Sequence, residues 1–556
     1  MSTTEQPQTP KPVALAESDE CAQAIAAAGT SVTPMTDLVF RRKGSINLYK
    51  NRRLALCEMS FFKNWIDCPD GDPYPSVGLT SRPREYTGDG FYSLSGSGHI
   101  CRLLGQYFPY ATYDLTLNVC SLTAPGRVGI RIAARACEGS KYAPDTLPAA
   151  EFYFAPGVDE EHVRVGYQFF CGDKACDNVL LEAEFRFHPG MHLIVTSRND
   201  FFDLYLQNDR KPIPLRSVQH PNMGWNRHGE TFAAMDALLC ADLGEDDTVV
   251  ISSFVSYLDC GISQADIKPV KYEDGTPMME SGKLFLTMSS RMEAGGYQSI
   301  LSWKPSTGEF ALEGALFFDY GDGLWCADVA TSLHYNRMTQ EWCFWTVSFS
   351  HGHVLAHGKS LIDPRYGITC LDAERMPVVQ TDDKGRADLS DDTRFAAKFG
   401  DEDPDLIYDP ESKTWFLTCC RLTKDADGKS NYRYFLFRSE EPFSNFTHVD
   451  HTLSGADTGG TLCRIAGNLY LVCGTSFVEH SQYRIYTLPD FTRFDDLKKD
   501  YPDGGFRGWG TILPVVSGSR MRYYWITFDR HRGQAEYPWS YGNLYYYEAN
   551  KTNPVD

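Results

Sequence analysis

The same short pattern occurs twice in the C-terminal half of this 556-residue chain. In each copy an acidic residue precedes an apolar strand, a polar turn follows, and a second apolar strand completes the unit. Tyr335 and Trp342 flank the first turn, and Tyr408 and Trp415 flank the second at the same spacing. Short strands that repeat at a period of roughly 40 to 75 residues are typical of sheets arranged radially about an axis. The recurrence therefore predicts a β-propeller.

Three further segments have the same character, and they complete the predicted propeller. They are residues 235–251, 460–472 and 509–526. The last of them is followed by three consecutive tyrosines at 545–547, which favour a strand. Five units predict a five-bladed β-propeller over residues 219–556.

The chain before residue 219 shows many short strand patterns and few helical ones. Apolar and polar residues alternate at 113–119, 128–134 and 191–196, which indicates half-buried strands. We therefore predict an all-β protein in which a β-sandwich at 36–218 precedes the propeller. Residues 1–35 are predicted to form a disordered tail with one short helix near 17–28.

Composition excludes several classes of partner. The net charge of −20 argues against nucleic acid and against an anionic membrane surface. An apolar run of about 18 residues, which a membrane-spanning helix requires, is absent from the sequence. The N-terminal residues lack a secretory signal, and the 17 cysteines lack CxxC pairs, so we expect thiols and a cytoplasmic protein. The sequence leaves the oligomeric state open.

The second copy of the repeat opens with a cluster of acids. Glu402, Asp403 and Asp405 lie within five residues at the start of an apolar strand. A general acid needs a carboxyl group whose pKa is raised by nearby negative charge and by partial desolvation. A solvated acidic turn is the alternative interpretation, and the recurrence of the pattern favours the catalytic one.

Two other groups of residues are candidate sites. His351, His353 and His357 would share one face of an extended segment, but no acid or cysteine stands at ligand spacing, so a polar strand face is favoured over a metal site. The exposed faces of Trp225, Trp325 and Trp509 could stack on sugar rings, although most of the aromatic residues must form the core. We expect no metal and no cofactor.

The segment Glu402-Asp403-Pro404-Asp405-Leu406-Ile407 resembles the Glu-Cys-Pro-Asp-Leu-Phe motif of the invertase-like glycoside hydrolases. These belong to a superfamily of five-bladed propellers that also contains the arabinanase and xylosidase families. The resemblance implies that Glu402 is the acid/base. It places Asp328 at the position of a transition-state stabiliser, without the flanking Arg and Pro, and Asp236 at the position of the nucleophile.

A second alignment, to the arabinanase-like families, stays open. In those families an Asp-Pro opens the blade that tunes the acid, which fits Asp403, and a Glu-Gly-Pro opens the next blade. Thr458 stands in the place of that Glu, and a threonine cannot act as a carboxylic acid. Glu402 is therefore preferred as the proton donor, with Asp457 in reserve.

These observations together predict a glycoside hydrolase, or a related transglycosylase, that acts on a furanoside bond in small oligosaccharides. The predicted catalytic residues are Asp236, Asp328 and Glu402. The predicted substrate-binding residues are Asp403, Trp225, Arg227, His228, Trp325, Asp457 and Trp509. A phosphorylase on the same fold is one alternative, because Arg227 and His228 could hold a phosphate. A carbohydrate-binding propeller without catalysis is the other.

Overall fold

The computed structural model describes residues 34–47, 53–59, 83–88, 90–135, 147–172, 174–198, 201–208, 212–221, 228–259, 263–292, 295–349, 351, 353–375, 401–424, 430–452, 457–475, 483–500, 510–517, 520–528 and 543–551. They form two units. Residues 53–259 and 321–325 belong to one, the N-terminal unit, and the remaining described residues belong to the other, the propeller unit. Apart from a 3-10 turn at Met35–Asp37 and one short helix, the regular elements in these ranges are strands. They contain no helix of the length and apolarity that crossing a bilayer requires.

Strand β1 (Leu38–Asn47) belongs to the propeller unit, and the strands that follow it build the N-terminal unit. These are β2 (Arg53–Glu58), β3 (Arg84–Gly88), β4 (Phe91–Ser95), β5 (Gly98–Gln106), β6 (Thr112–Ser121), β7 (Arg127–Ala134), β8 (Pro148–Pro156), β9 (His162–Cys171), β10 (Lys174–Arg186), β11 (Met191–Arg198), β12 (Phe201–Gln207), β13 (Ile213–Gln219), helix α1 (Gly229–Ala233), β14 (Met235–Leu243) and β15 (Thr248–Asp259).

The N-terminal unit contains two antiparallel sheets. One has the strand order β10-β9-β8-β7-β14-β5, and the other has the order β13-β12-β11-β6-β15-β4-β3, with β2 also paired to β15. The alternating apolar residues face inward, as the sequence indicates. Phe152 on β8 and Phe202 on β12 are fully buried, with ring centroids 5.1 Å apart, so side chains of the two sheets meet. The assignment of this unit to the β-sandwich fold stays a prediction.

The remaining strands build the propeller unit. They are β16 (Ser263–Pro269), β17 (Lys271–Tyr272), β18 (Met279–Glu280), β19 (Lys283–Met292), β20 (Gly295–Lys304), β21 (Glu309–Asp319), β22 (Val329–Asn336), β23 (Glu341–Ser348), β24 (Val354–Ser360), β25 (Gly367–Asp372), β26 (Glu374–Arg375), β27 (Asp401–Asp409), β28 (Thr414–Lys424), β29 (Ser430–Ser439), β30 (Thr447–His451), β31 (Asp457–Ile465), β32 (Asn468–Thr475), β33 (Tyr483–Leu488), β34 (Arg493–Asp496), β35 (Lys498–Lys499), β36 (Thr511–Ser517), β37 (Arg520–Phe528) and β38 (Asn543–Lys551).

These strands form five sheets, which we number as blades 1 to 5. The blades are β16-β19-β20-β21, β22-β23-β24, β27-β28-β29-β30, β31-β32-β33-β34 and β36-β37-β38-β1, with the short strands at their edges. The innermost strands contact one another in the cyclic order β16, β22, β27, β31, β36 and back to β16. The prediction of a five-bladed propeller is confirmed. The ring is closed by β1, which pairs with β38 along its whole length.

The repeated Tyr and Trp of the sequence form equivalent cross-strand pairs. Tyr335 lies directly opposite Trp342 in blade 2, and Tyr408 lies opposite Trp415 in blade 3. The ring centroids are 5.3 Å and 5.0 Å apart. Aromatic pairs at this distance stabilise a hairpin and fix its register. The equal Tyr-to-Trp spacing in the sequence therefore reflects the same cross-strand pairing in the two hairpins.

A buried ion pair joins three of the blades. The Lys271 ammonium lies 2.7 Å from Asp405 Oδ1, and both side chains are fully buried. The same carboxylate accepts hydrogen bonds from the Ser332 hydroxyl at 2.5 Å and from the Leu462 amide at 2.6 Å. A buried charge is tolerated when it is paired and hydrogen-bonded, and here the partners come from different blades. Asp405 is therefore a structural residue of the ring.

The structure corrects the predicted domain limits. Residues 235–251 were predicted to form the first blade, and this is wrong, because β14 and β15 pair with β5, β7 and β6 of the N-terminal unit. Blade 1 begins instead at β16. The sandwich range of 36–218 is likewise wrong at both ends, since β1 is a propeller strand and the N-terminal unit extends to residue 259. Alternation alone marks a strand but not the sheet it joins. Residues 1–33, which include the predicted helix and nearly all of the predicted tail, lie outside the described residues.

Candidate active site

The innermost strands share one backbone irregularity. Asp266, Ala330, Asp403 and Gly459 have φ values of +55°, +62°, +52° and +60° in blades 1 to 4. In each blade the pairing register shifts at this residue, which marks a β-bulge. Bulges re-aim side chains and are frequent beside active sites. A positive φ costs an L-residue about 1–2 kcal/mol, so three non-glycine residues at this position indicate a functional constraint.

Two of the bulge residues are acids, and a third acid lies beside them. Asp266 and Asp403 occupy equivalent positions in blades 1 and 3, and Glu402 immediately precedes Asp403. Asp266 Oδ2 accepts a hydrogen bond from the Ser289 hydroxyl at 2.7 Å. Asp403 Oδ2 accepts one from the Gly459 amide at 3.0 Å. We refer to Asp266, Glu402 and Asp403 as the carboxyl cluster.

The carboxyl cluster perturbs the protonation of Asp403. Burial raises the pKa of Asp403 from 3.8 to about 7, and the nearby charges of Asp266 and Glu402 raise it further than the Lys268 ammonium and the Gly459 amide lower it. The side chain is almost entirely buried. Desolvation and like charge both disfavour the carboxylate form. A carboxyl group that retains its proton near neutral pH is therefore present between two other acids.

Lys268 supplies a positive charge to the cluster. It lies two residues after Asp266 on β16, is 1% exposed, and its ammonium donates a hydrogen bond to the Ala330 carbonyl at 3.2 Å. The Ala330 amide in turn donates a hydrogen bond to the Ser289 hydroxyl oxygen at 3.1 Å, and Ser289 is the partner of Asp266. Blades 1 and 2 therefore hold Asp266 through a connected network.

Glu402 is the most accessible acid of the cluster. Its side chain is 25% exposed, and its Oε1 lies 2.9 Å from Nε2 of His353, which is 24% exposed. The angles at this contact do not satisfy hydrogen-bond geometry, so the carboxylate and the ring lie close together without a hydrogen bond. Glu402 can thus reach a bound molecule, whereas Asp403 beside it is enclosed.

Asp328 lies near the cluster but is itself enclosed. It is 2% exposed, and its two oxygens accept hydrogen bonds from the Tyr320 hydroxyl at 2.7 Å and the Phe349 amide at 3.0 Å. The Phe349 ring packs on His353 with centroids 4.7 Å apart, which links Asp328 to the histidine beside Glu402. Burial and the Asp328 charge together raise the pKa of Tyr320.

Asp457 occupies in blade 4 the position of Asp328 in blade 2. Arg484 lies 2.6 Å from one of its oxygens, and the Tyr486 hydroxyl donates to the other at 2.9 Å. Burial raises its pKa although Arg484 opposes the shift. Its oxygens are occupied by these partners, which suits a structural role better than proton donation.

Several predicted site residues are not part of this cluster. Asp236 lies on β14 of the N-terminal unit, hydrogen-bonded on both sides in its sheet, with Arg135 at 2.9 Å, so it does not open a propeller blade. Trp325 packs edge-on against Phe232 at 4.9 Å within that unit, which also contains His228. Trp225, Arg227 and Trp509 lie outside the described residues.

Asp266, Lys268 and His353 were missed from the sequence. The signal for Asp266 is available, since an acid precedes a short segment that ends at Tyr272 and an acidic turn follows at 273–275, as after Asp403. The prediction of blade 1 at residues 235–251 places its opening acid at Asp236 instead. Lys268 and His353 carry no sequence signal of their own, because the packing of neighbouring blades brings them to the cluster.

About half of the chain aligns with solved glycoside hydrolases. A thermostable family-43 glycoside hydrolase aligns over 53% of this chain and 95% of its own, with 11% identity and a TM-score of 0.35. The α-L-arabinofuranosidase PaAbf62A from Podospora anserina aligns over 51% and 91%, with 13% identity and a TM-score of 0.32. A family-117 glycoside hydrolase from Zobellia galactanivorans aligns over 53% and 86%, with 8% identity and a TM-score of 0.35. No family model and no curated protein matches the chain.

Proposed function

We propose that the protein is a glycoside hydrolase whose carboxyl cluster cleaves a furanoside bond, such as an arabinofuranoside or a fructoside, in small oligosaccharides. The observation that carries the proposal is the convergence of Asp266, Glu402 and Asp403 at one site, which together hold a proton near neutral pH. Cleavage of a glycosidic bond requires a protonated and an ionised carboxyl group at the same site. Acids that share a buried site divide their protons in this way.

The exposure of Glu402 and the position of Asp266 in the ring assign the roles of the three acids. Glu402 is a quarter exposed, so it is the group that protonates the leaving oxygen. Asp266, on the opposite blade of the ring, is the nucleophile or base in place of Asp236. Asp403 is too enclosed to reach a sugar oxygen, and it tunes Glu402 by changing the negative charge beside it. Lys268 limits the repulsion among the three acids.

The furanoside preference rests on the resemblance of the residue-402 motif to the invertase-like and arabinanase-like families. The same propeller serves different sugars, so the motif and not the fold supports the furanoside preference. The stereochemical outcome depends on the distance between the two carboxyl groups, which is about 5 Å in retaining enzymes and about 6.5–9.5 Å in inverting ones.

A pair of substrates with different leaving groups tests the role of Glu402. Glu402→Gln should lower kcat/KM at least roughly a hundredfold for a natural oligosaccharide, whose leaving oxygen needs a proton. The same substitution should lower kcat/KM much less for the p-nitrophenyl glycoside of the same sugar, because p-nitrophenolate leaves without being protonated. Glu411→Gln, an exposed acid in the turn of the same blade, is the matched control. Equal activity of Glu402→Gln and the control on both substrates would refute the assignment.

A further inference from the structure

Three side chains with metal-binding atoms converge in blade 2, outside the carboxyl cluster. Cys326 Sγ, an oxygen of Asp328 and a ring nitrogen of His351 all lie within 4.8 Å of one another. Cys326 and Asp328 are buried, and His351 is half-buried. A two-way backbone bridge between Cys326 and Phe318 at the end of β21, at 2.8 and 3.0 Å, fixes Cys326.

The surrounding groups orient these side chains. Tyr320 donates its hydroxyl to Asp328 Oδ2 and also packs its ring on His351, with centroids 4.4 Å apart. The Ser348 hydroxyl lies 3.4 Å from His351 Nδ1. Metal ligands are characteristically held by such outer hydrogen bonds, which fix the carboxylate and the histidine ring.

The neighbouring blades show what the position of Asp328 requires. Asp401 and Asp457 stand, like Asp328, two residues before the bulge residue of their strands. Each of them is neutralised by an arginine: Arg421 is bidentate to Asp401, and Arg484 lies 2.6 Å from Asp457. A buried carboxylate is costly without a compensating positive charge. The carboxylate at this strand position binds a positive charge in blades 3 and 4, which suits it to bind a metal cation in blade 2.

We propose that Cys326, Asp328 and His351 form a zinc site. A thiolate, an imidazole and a carboxylate together suit Zn²⁺, whereas Ca²⁺ and Mg²⁺ prefer oxygen ligands. Zinc bonds of about 2.0–2.3 Å hold tetrahedral ligand atoms roughly 3.3–3.8 Å apart, a spacing within the limit that the cluster sets. Binding displaces the proton of the Cys326 thiol to solvent. Three protein ligands leave the fourth position for water or for an oxygen of a bound molecule.

This assignment separates the three histidines that the sequence groups together. His351 is a zinc ligand, and His353 lies against Glu402. His357 packs between Trp345 and Phe443, with ring centroids 4.9 Å from each. The sequence pattern missed the site because its other two ligands, Cys326 and Asp328, come from a different hairpin.

Cobalt binding by the full-length protein tests the site. Co²⁺ replaces zinc in such sites and gives thiolate-to-metal absorption in the near ultraviolet. After treatment with a chelator, the protein should bind one Co²⁺ per chain with this absorption, and Zn²⁺, but not excess Ca²⁺ or Mg²⁺, should displace it. Cys326→Ala should abolish the absorption. His351→Gln removes a ligand, so it should weaken binding by more than the roughly 10–100-fold that the loss of an outer hydrogen-bond partner costs.

The controls are Cys343→Ala, a buried thiol of the same blade, and His357→Gln, and both should bind Co²⁺ like the parent. If Cys326→Ala does not fold, the parent spectrum and His351→Gln decide the question. A parent without thiolate absorption, or His351→Gln with unchanged affinity, overturns the proposal, as does thiolate absorption that persists in a folded Cys326→Ala. The readout is independent of glycosidase activity, so failure of the proposed function leaves this test intact.

Discussion

Replacement of Asp403 by Asn should stabilise the protein, and the gain should grow with pH. The pKa of Asp403 is about 7 in the folded protein, against 3.8 for an unperturbed group. Each pKa unit corresponds to 1.36 kcal/mol, so ionised Asp403 costs the fold on the order of 4 kcal/mol. Asn has nearly the same shape as Asp, carries no charge, and retains an oxygen that can accept a hydrogen bond from the Gly459 amide.

The sign follows from proton linkage. Between pH 4 and 7 the folded protein holds a proton on Asp403 that the unfolded chain has released. Unfolding releases protons in this window, so the stability of the parent falls as pH rises, and the loss is complete above about pH 7. The Asn variant lacks this loss. Its advantage should therefore increase by about 2–3 kcal/mol between pH 5 and pH 8.

Calorimetric melting of parent and variant at pH 5, 6, 7 and 8 measures this difference. For a unit of this size the gap in melting temperature should widen by roughly 3–4 °C across the series. Asp495→Asn, at an exposed position in blade 4, should melt in parallel with the parent. A gap that stays constant from pH 5 to pH 8 would show that Asp403 has an ordinary pKa, and the reasoning about the cluster would fail.

Two further predictions concern the ring of blades. Lys271→Met should lower the unfolding free energy of the propeller by about 3–5 kcal/mol, because it leaves Asp405 charged and buried. A loss below about 1 kcal/mol in a urea titration would contradict the role of this ion pair. Ala330→Gly should stabilise by about 1 kcal/mol, since glycine adopts φ +62° without strain. Ala356→Gly, at a regular strand position of the same blade, should destabilise instead.

The architecture was accessible to sequence reasoning because it depends on repetition. The Tyr and Trp pairs of blades 2 and 3 are cross-strand contacts, so their spacing survives in the sequence. Blade 1 was misplaced because strands β14 and β15 alternate like blade strands, and a strand pattern does not reveal its partner. The use of β1 to close blade 5 was equally hidden, since its partner β38 is about five hundred residues away.

The site was accessible only in part, for a related reason. Glu402 and Asp403 are adjacent in the chain, and their charge pattern points to them directly. Asp266 joins them only after the blades close into a ring, and the raised pKa of Asp403 is a property of that closure. Cys326, Asp328 and His351 likewise meet across two hairpins, so their spacing in the sequence does not predict a site.

The central claim is that acids of the propeller ring, and not Asp236, carry out the cleavage. The most direct test is kcat/KM for one hydrolysed arabinofuranoside or fructoside, measured side by side for the parent, Asp266→Asn and Asp236→Asn. The account predicts a loss of at least roughly a hundredfold for Asp266→Asn and near-parental activity for Asp236→Asn. Parental activity of folded Asp266→Asn, or a loss confined to Asp236→Asn, would contradict it.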